Sequence, residues 1–396
     1  MNPDLQYLHP YPFAKLAQLK QGLTPPTELG HISLSIGEPQ HPVPLFVLES
    51  LIAHLHQLSS YPSTKGYTAL REIIQQWLCH RFNIESALLD VDKNIIPVSG
   101  TREALFALAQ CAIDRTASSP TVMLPNPFYQ IYEGAAILAG AKPHYLNCVA
   151  EDDFIPNLDL ISDQQWLDCQ LIYICTPGNP TGAVMSENYL QKLIGLAQKF
   201  DFIIASDECY SEIYFDESNP PSGLLGAASA MGLHDFHNCL VLHSLSKRSN
   251  LPGLRSGFVA GDADILEQFH LYRTYHGCAL PPATQSASIA AWTDEAHVIE
   301  NRQLYRDKFD IVLKMLSATL APVRPDAGFF LWAKTQINDS DFAAQLYRQK
   351  NITVLPGQYL SRQVDGINPG ENYIRLALVA PLDECRDAAN RINQFL

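Results

Sequence analysis

In LIYICTPGNPTGAVMSENYLQKLIGLAQKFDFIIASDECY, residues 171–210, two short apolar runs flank a helical spacer. Each run is continuous and rich in large apolar side chains, the pattern of a strand buried on both faces. Similar runs recur on either side. NIIPVS and TVMLPNP precede the stretch, and CLVLHSLSK and GFVAGD follow it, most of them separated by helical segments such as GTREALFALAQCAI. Strands alternating with helices predict an α/β fold, with a mainly parallel sheet covered on both faces. Such sheets bind ligands outside the C-terminal ends of their strands. Thr101, Asn179, Asp207, Ser244 and Lys247 each lie just after an apolar run, so the pattern predicts that they share one rim.

Working outward, the first 40 or so residues are Pro-rich and read as an arm with a connecting segment. PLFVLESLIAHLHQL is helical, and LREIIQQWLCHRF is an amphipathic helix with Leu70, Ile73, Ile74, Trp77 and Leu78 on one face. Further helices are predicted in ILEQFHLYRTYH, ATQSASIAAW and QLYRDKFDIVLKMLSATL. Short strands and helices then take over in GFFLWAKT, DFAAQLYRQKN, ITVLPG and NYIRLAL, the pattern of a smaller α+β domain. A chain of 396 residues is long for one core. The expected organisation is an arm and part of the small domain over residues 1–44, a large domain over 45–285, and a small C-terminal domain over 286–396.

The composition is globular, 47% hydrophobic and 17% charged, with no low-complexity tract or internal repeat. A net charge of −14 and the lack of a basic tract argue against nucleic acid as a partner. No apolar run is long enough to span a membrane, and no basic-then-apolar segment suggests a signal peptide. The nine cysteines are scattered without a CxxC pair, so no metal site is expected. Cys111, Cys175 and Cys239 lie in apolar runs and read as buried, inert thiols. A cytoplasmic location is expected.

The rim residues suggest a chemistry. In GTREA, Gly100 and Thr101 open a helix whose free N–H groups make an anion site, although Thr101 read alone is an ordinary cap. Ser244, Ser246 and Arg255 add two hydroxyls and a guanidinium, a set suited to phosphate. Asp207 ends a buried run, where a carboxylate is costly without a cation, and a protonated ring nitrogen would serve. Asn179 and Tyr210 could hydrogen-bond a ring oxygen, and Tyr129 offers a ring to stack, although core packing is the commoner fate of an aromatic. With Lys247 as the amine, the inventory fits pyridoxal 5′-phosphate.

The order GEP, Y…KGY…LR, GTREA, NPFYQIY, TPGNPTG, SDECY, SLSKRSNLPGLRSG and NYIRLAL resembles the class I/II, fold-type I aminotransferases along essentially the whole chain. The resemblance implies that Lys247 carries the cofactor as a Schiff base and shuttles protons. It implies that Asp207 pairs with the pyridine nitrogen and that Asn179 and Tyr210 bind the ring oxygen. Gly100, Thr101, Arg102 through its main chain, Ser244, Ser246 and Arg255 would hold the phosphate. Tyr129 would stack, and Arg375 would clamp the substrate α-carboxylate with help from the backbone of Gly37. Tyr61 would reach the phosphate of a neighbouring subunit, implying a homodimer. Arg102 departs from the usual family pattern, so its side chain is expected to add charge near the phosphate and nothing more.

Lys247 must be partly unprotonated to act, and the positive charge of Arg255 and the pyridinium is expected to depress its pKa. Details such as PYPFAKL, YPSTKGY and YRTYHGCALPPATQSAS resemble the bacterial succinyldiaminopimelate aminotransferases of lysine biosynthesis. A substrate with a long anionic tail would need distal donors, for which Lys65, Arg273 and His276 are candidates, each also readable as an ordinary ion-pairing residue. The alternatives are an aminotransferase for aspartate, alanine or aromatic amino acids, or a pyridoxal-phosphate-dependent C–S β-lyase. A non-catalytic regulator is disfavoured, because no DNA-binding segment is attached.

Overall fold

The computed structural model describes residues 1–316 and 320–396. Its strands, in chain order, are β1 (Ile32–Ser33), β2 (Ile95–Val98), β3 (Thr121–Asn126), β4 (Lys142–Asn147), β5 (Cys169–Cys175) and β6 (Ile203–Asp207). They continue with β7 (Cys239–Ser244), β8 (Gly257–Gly261), β9 (Phe330–Lys334), β10 (Ile352–Thr353), β11 (Leu355–Pro356) and β12 (Tyr373–Ala377). Seven form one sheet in the order β2-β8-β7-β6-β5-β3-β4. Its core pairs are parallel, and the fold is α/β as the alternating runs predict. β8 differs and runs antiparallel to both β2 and β7. Between Ser244 and Gly257 the chain holds only the short helix Leu245–Arg248 and a 3₁₀ turn, Pro252–Leu254. Neither is long enough to run back along the sheet, so the chain returns beside β7 in the opposite direction.

Successive strand residues face opposite cores, which is why the runs are apolar throughout. Ile172, Ile174 and Val241 pack with Leu70, Ile74, Trp77 and Leu78 of the helix Thr68–Phe82. Leu171, Tyr173 and Leu240 pack with Leu105 and Leu108 of the helix Thr101–Ala112. Truncating one such leucine to alanine costs about 2–5 kcal/mol. β4 was not apparent in the sequence. It is an edge strand, KPHYLN, with Leu146 as its one buried residue, so it lacks an apolar run.

β9, β11 and β12 form a separate antiparallel sheet in the order β11-β12-β9. β1 pairs in parallel with β10, Ile32 opposite Ile352, so the start of the chain is stitched to its C-terminal part. Ile32, Leu34, Phe309, Leu331 and Ile374 share a third core. The helix expected in QLYRDKFDIVLKMLSATL runs to Leu316, and residues 317–319 lie outside the described residues. All nine cysteines are free, with Cys175 and Cys239 buried and Cys111 half-buried. Among the described residues no helix is long and apolar enough to cross a membrane.

Candidate active site

The C-terminal ends of β5, β6 and β7 are level, with Cys175 opposite Asp207 and Asp207 opposite Leu242. Above them lies a cavity of about 460 Å³. Ser244 ends β7 and caps the helix that follows, its hydroxyl accepting the Ser246 N–H at 3.1 Å. This turn swings Lys247 off the strand and into the cavity, where Nζ donates to the Gly37 carbonyl at 2.7 Å. Burial holds the Lys247 ammonium at about 8, with Arg375 and Arg255 pushing the same way and Cys209 and Glu38 opposing. Loss of water is therefore the first cause, and the neighbouring charge on which the sequence argument relied is secondary.

One wall of the cavity is a cradle for an anion. Thr101 opens the helix Thr101–Ala112, and Ser244, Ser246 and Arg255 line the same wall. Arg255 adopts a left-handed conformation with φ 55°, which costs a residue with a side chain about 1–3 kcal/mol. Gly100, at φ 88°, lies against it, and a Cβ there would collide with Arg255 Nη2. The backbone gives way to the guanidinium at this point, and the two hydroxyls, the helix N–H groups and the one cation together suit a phosphate.

Asp207 lies on the cavity floor, and its hydrogen-bond partners are the Tyr132 hydroxyl at 2.7 Å and the Cys209 N–H at 3.3 Å. Both are neutral, and burial pushes the carboxyl above its usual range despite them. A cationic ring nitrogen would complete this site, and the donor set as a whole fits pyridoxal 5′-phosphate. Tyr129, Asn179 and Tyr210 line the cavity beside it. Burial pushes the Tyr210 phenol well above its ordinary value, so it stays a hydrogen-bond donor.

Arg375, on β12, closes the cavity from the smaller sheet, opposite Trp332 and Leu355 in register. It donates to Asn179 Oδ1 at 2.8 Å and to the Ser35 carbonyl at 2.7 Å, and lies 4.3 Å over the Phe330 ring. Its Nε is buried and has no hydrogen-bond partner among the described residues. Burial lowers its pKa from 12.5 to about 10. A buried guanidinium held only by neutral groups is arranged to receive an anion.

Other expectations need correction. Arg273 is fully buried, its two terminal nitrogens are taken up by Glu103 and the Cys278 carbonyl, and it does not line the cavity. Lys65 stands 3.8 Å from Asp92, and neither it nor His276 lines the cavity. Tyr61, expected to serve a neighbouring subunit, is not among these corrections: it is fully exposed and lies off the cavity of its own chain. The Arg102 side chain does more than the sequence reading allowed. It lines the cavity, donating to the Tyr129 hydroxyl at 2.6 Å and the Tyr11 hydroxyl at 3.3 Å. Tyr132, the partner of Asp207, was also missed, although it stands three residues after Tyr129 in NPFYQIY.

A family model for class I and II aminotransferases matches residues 30–392. The chain belongs to this family. The family depends on pyridoxal 5′-phosphate, and its fold-type I architecture is the one described above. The chain is 31% identical to an LL-diaminopimelate aminotransferase of Maridesulfovibrio salexigens, over 99% of this chain and 98% of that protein. Among solved structures it is similar to an aminotransferase from Neisseria meningitidis Z2491, at 45% identity and TM-score 0.95 over 100% of both chains. It is also similar to the aminotransferase AspB from Helicobacter pylori 26695, at 37% identity and TM-score 0.88 over 98% of this chain and 99% of that one.

Proposed function

We propose that this aminotransferase moves an amino group between L-glutamate and the 6-oxo acid of N-succinyl-LL-2,6-diaminopimelate, a step of lysine biosynthesis, by ping-pong turnover. The observation that carries the amino-acid reading is Arg375, a buried cation with neutral partners and a free Nε on the cavity that Lys247 enters. Bound there, pyridoxal 5′-phosphate supplies an aldehyde carbon that condenses with amines and a ring that takes up the electron pair left when the substrate Cα–H bond breaks.

The side chains divide the remaining work. Gly100 and Thr101, the Arg102 main chain, Ser244, Ser246 and Arg255 hold the phosphate. Asp207 accepts the ring N–H and keeps that nitrogen protonated. Asn179 uses its Oδ1 for Arg375, leaving Nδ2 to donate with Tyr210 to the ring oxygen. Tyr129 stacks on the ring. Arg375 grips the α-carboxylate by a two-pronged hydrogen bond, beside the Gly37 backbone, and so fixes Cα near Lys247. Lys247 would hold the cofactor at its aldehyde carbon, and with that amine freed its Nζ would be the base that takes up and returns the proton of the substrate Cα. Desolvation, which holds this amine at about 8, keeps a useful fraction of it unprotonated near neutral pH.

Arg102 supports an anionic tail, since its partners at the cavity are two phenol hydroxyls. Glu38 also lines the cavity, and a distal ammonium would suit it. That favours a second reading, LL-diaminopimelate itself, which also draws on the relatives so named. The homodimer belongs to this proposal. Leu45, Leu48, Ile52, Leu55 and Leu58 are exposed along one segment that leads to Tyr61, an apolar face suited to a second copy, with Tyr61 serving the partner's phosphate. So do a cytoplasmic location, supported by the nine free cysteines, and the division at residues 44 and 285.

The test is to compare kcat/KM for N-succinyl-LL-diaminopimelate, LL-diaminopimelate, aspartate, alanine and aromatic amino acids, with 2-oxoglutarate as acceptor. A preference of tenfold or more for the succinylated compound supports the first reading. A preference for the free diamino acid replaces it with the second. Pyruvate and ammonia released from a cysteine thioether would point to β-lyase chemistry instead.

A further inference from the structure

His276 and Arg273, which the cavity leaves out, meet in a second cluster. The helix Ala263–His276 ends at Gly277, whose φ of 81° reverses the chain. The reversal brings Cys278 against the first turn of the helix Thr101–Ala112. There its Sγ lies 3.0 Å from Glu103 Oε1 and 3.0 Å from His276 Nδ1. His276 Nδ1 is 3.7 Å from the same carboxylate oxygen. These three atoms are gathered within 3.7 Å of one another, close enough for small side-chain rotations to bring them onto one face of a metal tetrahedron. An ion ~2.3 Å from sulfur and ~2.0 Å from nitrogen and oxygen would set them roughly 3.3–3.6 Å apart. Among the described residues this is the one group of three metal-ligating side chains gathered so closely.

The cluster is also braced from behind. Arg273, fully buried, donates one Nη to Glu103 Oε1 and the other to the Cys278 carbonyl at 2.5 Å. One guanidinium therefore fixes both a ligand carboxylate and the backbone of a ligand cysteine, as hydrogen-bonding partners behind metal ligands do. It also balances the Glu103 charge. Glu103 Oε2 is buried and accepts no hydrogen bond from the described residues, so the carboxylate keeps coordinating capacity in reserve. His276 is exposed, which leaves an approach from solvent.

We propose that Glu103, His276 and Cys278 bind a zinc-type divalent cation, with water in the fourth position. The mixed N, O and S donor set suits Zn²⁺ and disfavours Mg²⁺ and Ca²⁺, which take oxygen ligands. As the metal–sulfur bond forms, the thiol proton leaves to solvent. Glu103 directly follows Thr101 and Arg102, which line the cavity. An ion here would tie the segment 277–281 to the helix start that forms the anion cradle.

The test uses the holoenzyme, stripped of metal with a chelator and titrated with Zn²⁺ against a chromogenic competitor, with Co²⁺ as a spectroscopic substitute. The expected result is one ion bound per chain, with Co²⁺ giving four-coordinate ligand-field bands and a thiolate charge-transfer band. Cys278→Ser and His276→Ala should each weaken Zn²⁺ binding more than about tenfold and Cys278→Ser should abolish the thiolate band, while the absorbance of the bound cofactor shows that each variant is folded. A protein that fails to compete for Zn²⁺ overturns the proposal. So does Zn²⁺ binding unchanged in the Cys278→Ser variant, which would put the ion on other groups.

Discussion

Replacing Arg375 with methionine separates its role in binding from its role in the fold. The residue is buried, and its two hydrogen bonds go to neutral oxygens of Asn179 and Ser35. A guanidinium brought from 12.5 to about 10 by burial destabilises the empty protein by about 3 kcal/mol. Losing the two hydrogen bonds returns about 2 kcal/mol of that, at ~1 kcal/mol each. Methionine fills a similar volume, so the stability of the cofactor-loaded variant should stay within about 1 kcal/mol of the parent. Catalysis should not. Removing one partner of a buried, hydrogen-bonded charge pair costs about 2–5 kcal/mol, or roughly 30-fold to several thousandfold in kcat/KM. The loss should affect every α-amino acid donor and leave cofactor affinity unchanged. Steady-state kinetics with two or more donors, thermal unfolding and a cofactor titration read these quantities separately. A loss below tenfold, or one confined to cofactor binding, would refute the assignment of Arg375 to the substrate carboxylate.

Three further predictions follow from the same geometry. Below pH 8 both the folded and unfolded states of the cofactor-free protein carry a charged Lys247, and the folded state bears the desolvation cost, about 3 kcal/mol for a shift from 10.5 to about 8. Lys247→Met should therefore raise the Tm of the apoprotein at pH 7, and the gap should close as pH rises from 8 to 10.5; a gap that widens with pH contradicts this. Gly100→Ala puts a side chain at φ 88° and against Arg255, and should weaken cofactor binding tenfold or more in an absorbance titration. Unchanged affinity would remove Gly100 from the anion cradle. Arg102→Leu should lower kcat/KM by about ten- to a hundredfold for donors with an anionic tail, L-glutamate included, and spare L-alanine; an equal loss for both would make its role structural.

The sheet was legible because a strand buried on both faces leaves an unbroken apolar run. β5, β6 and β7 carry such runs, and the polar residues that end the last two, Asp207 and Ser244, mark the rim. Asp207 and Lys247 could be singled out because a charge beside such a run is costly without a partner. β4 left no comparable trace, since an edge strand is wetted along one side. The direction of β8 depends on the short connection before it, which the run itself does not record. Side-chain partnerships were the least legible. Arg273 and Arg102 are both arginines in helical stretches, but one is buried against Glu103 and the other opens onto the cavity. Helical periodicity is blind to that difference, because it is set by which helices cross. The burial of Lys247 was hidden for the same reason, since Gly37 and Arg375 reach it from distant parts of the chain.

The central claim is amino transfer through Lys247, and its most direct test is the absorbance of the purified holoenzyme before and after L-glutamate, with 2-oxoglutarate assayed in the same tube. The account predicts that the band of the lysine-bound cofactor disappears, that the pyridoxamine phosphate band replaces it, and that each chain yields one 2-oxoglutarate. A band that persists with no 2-oxoglutarate formed would contradict glutamate-linked transfer.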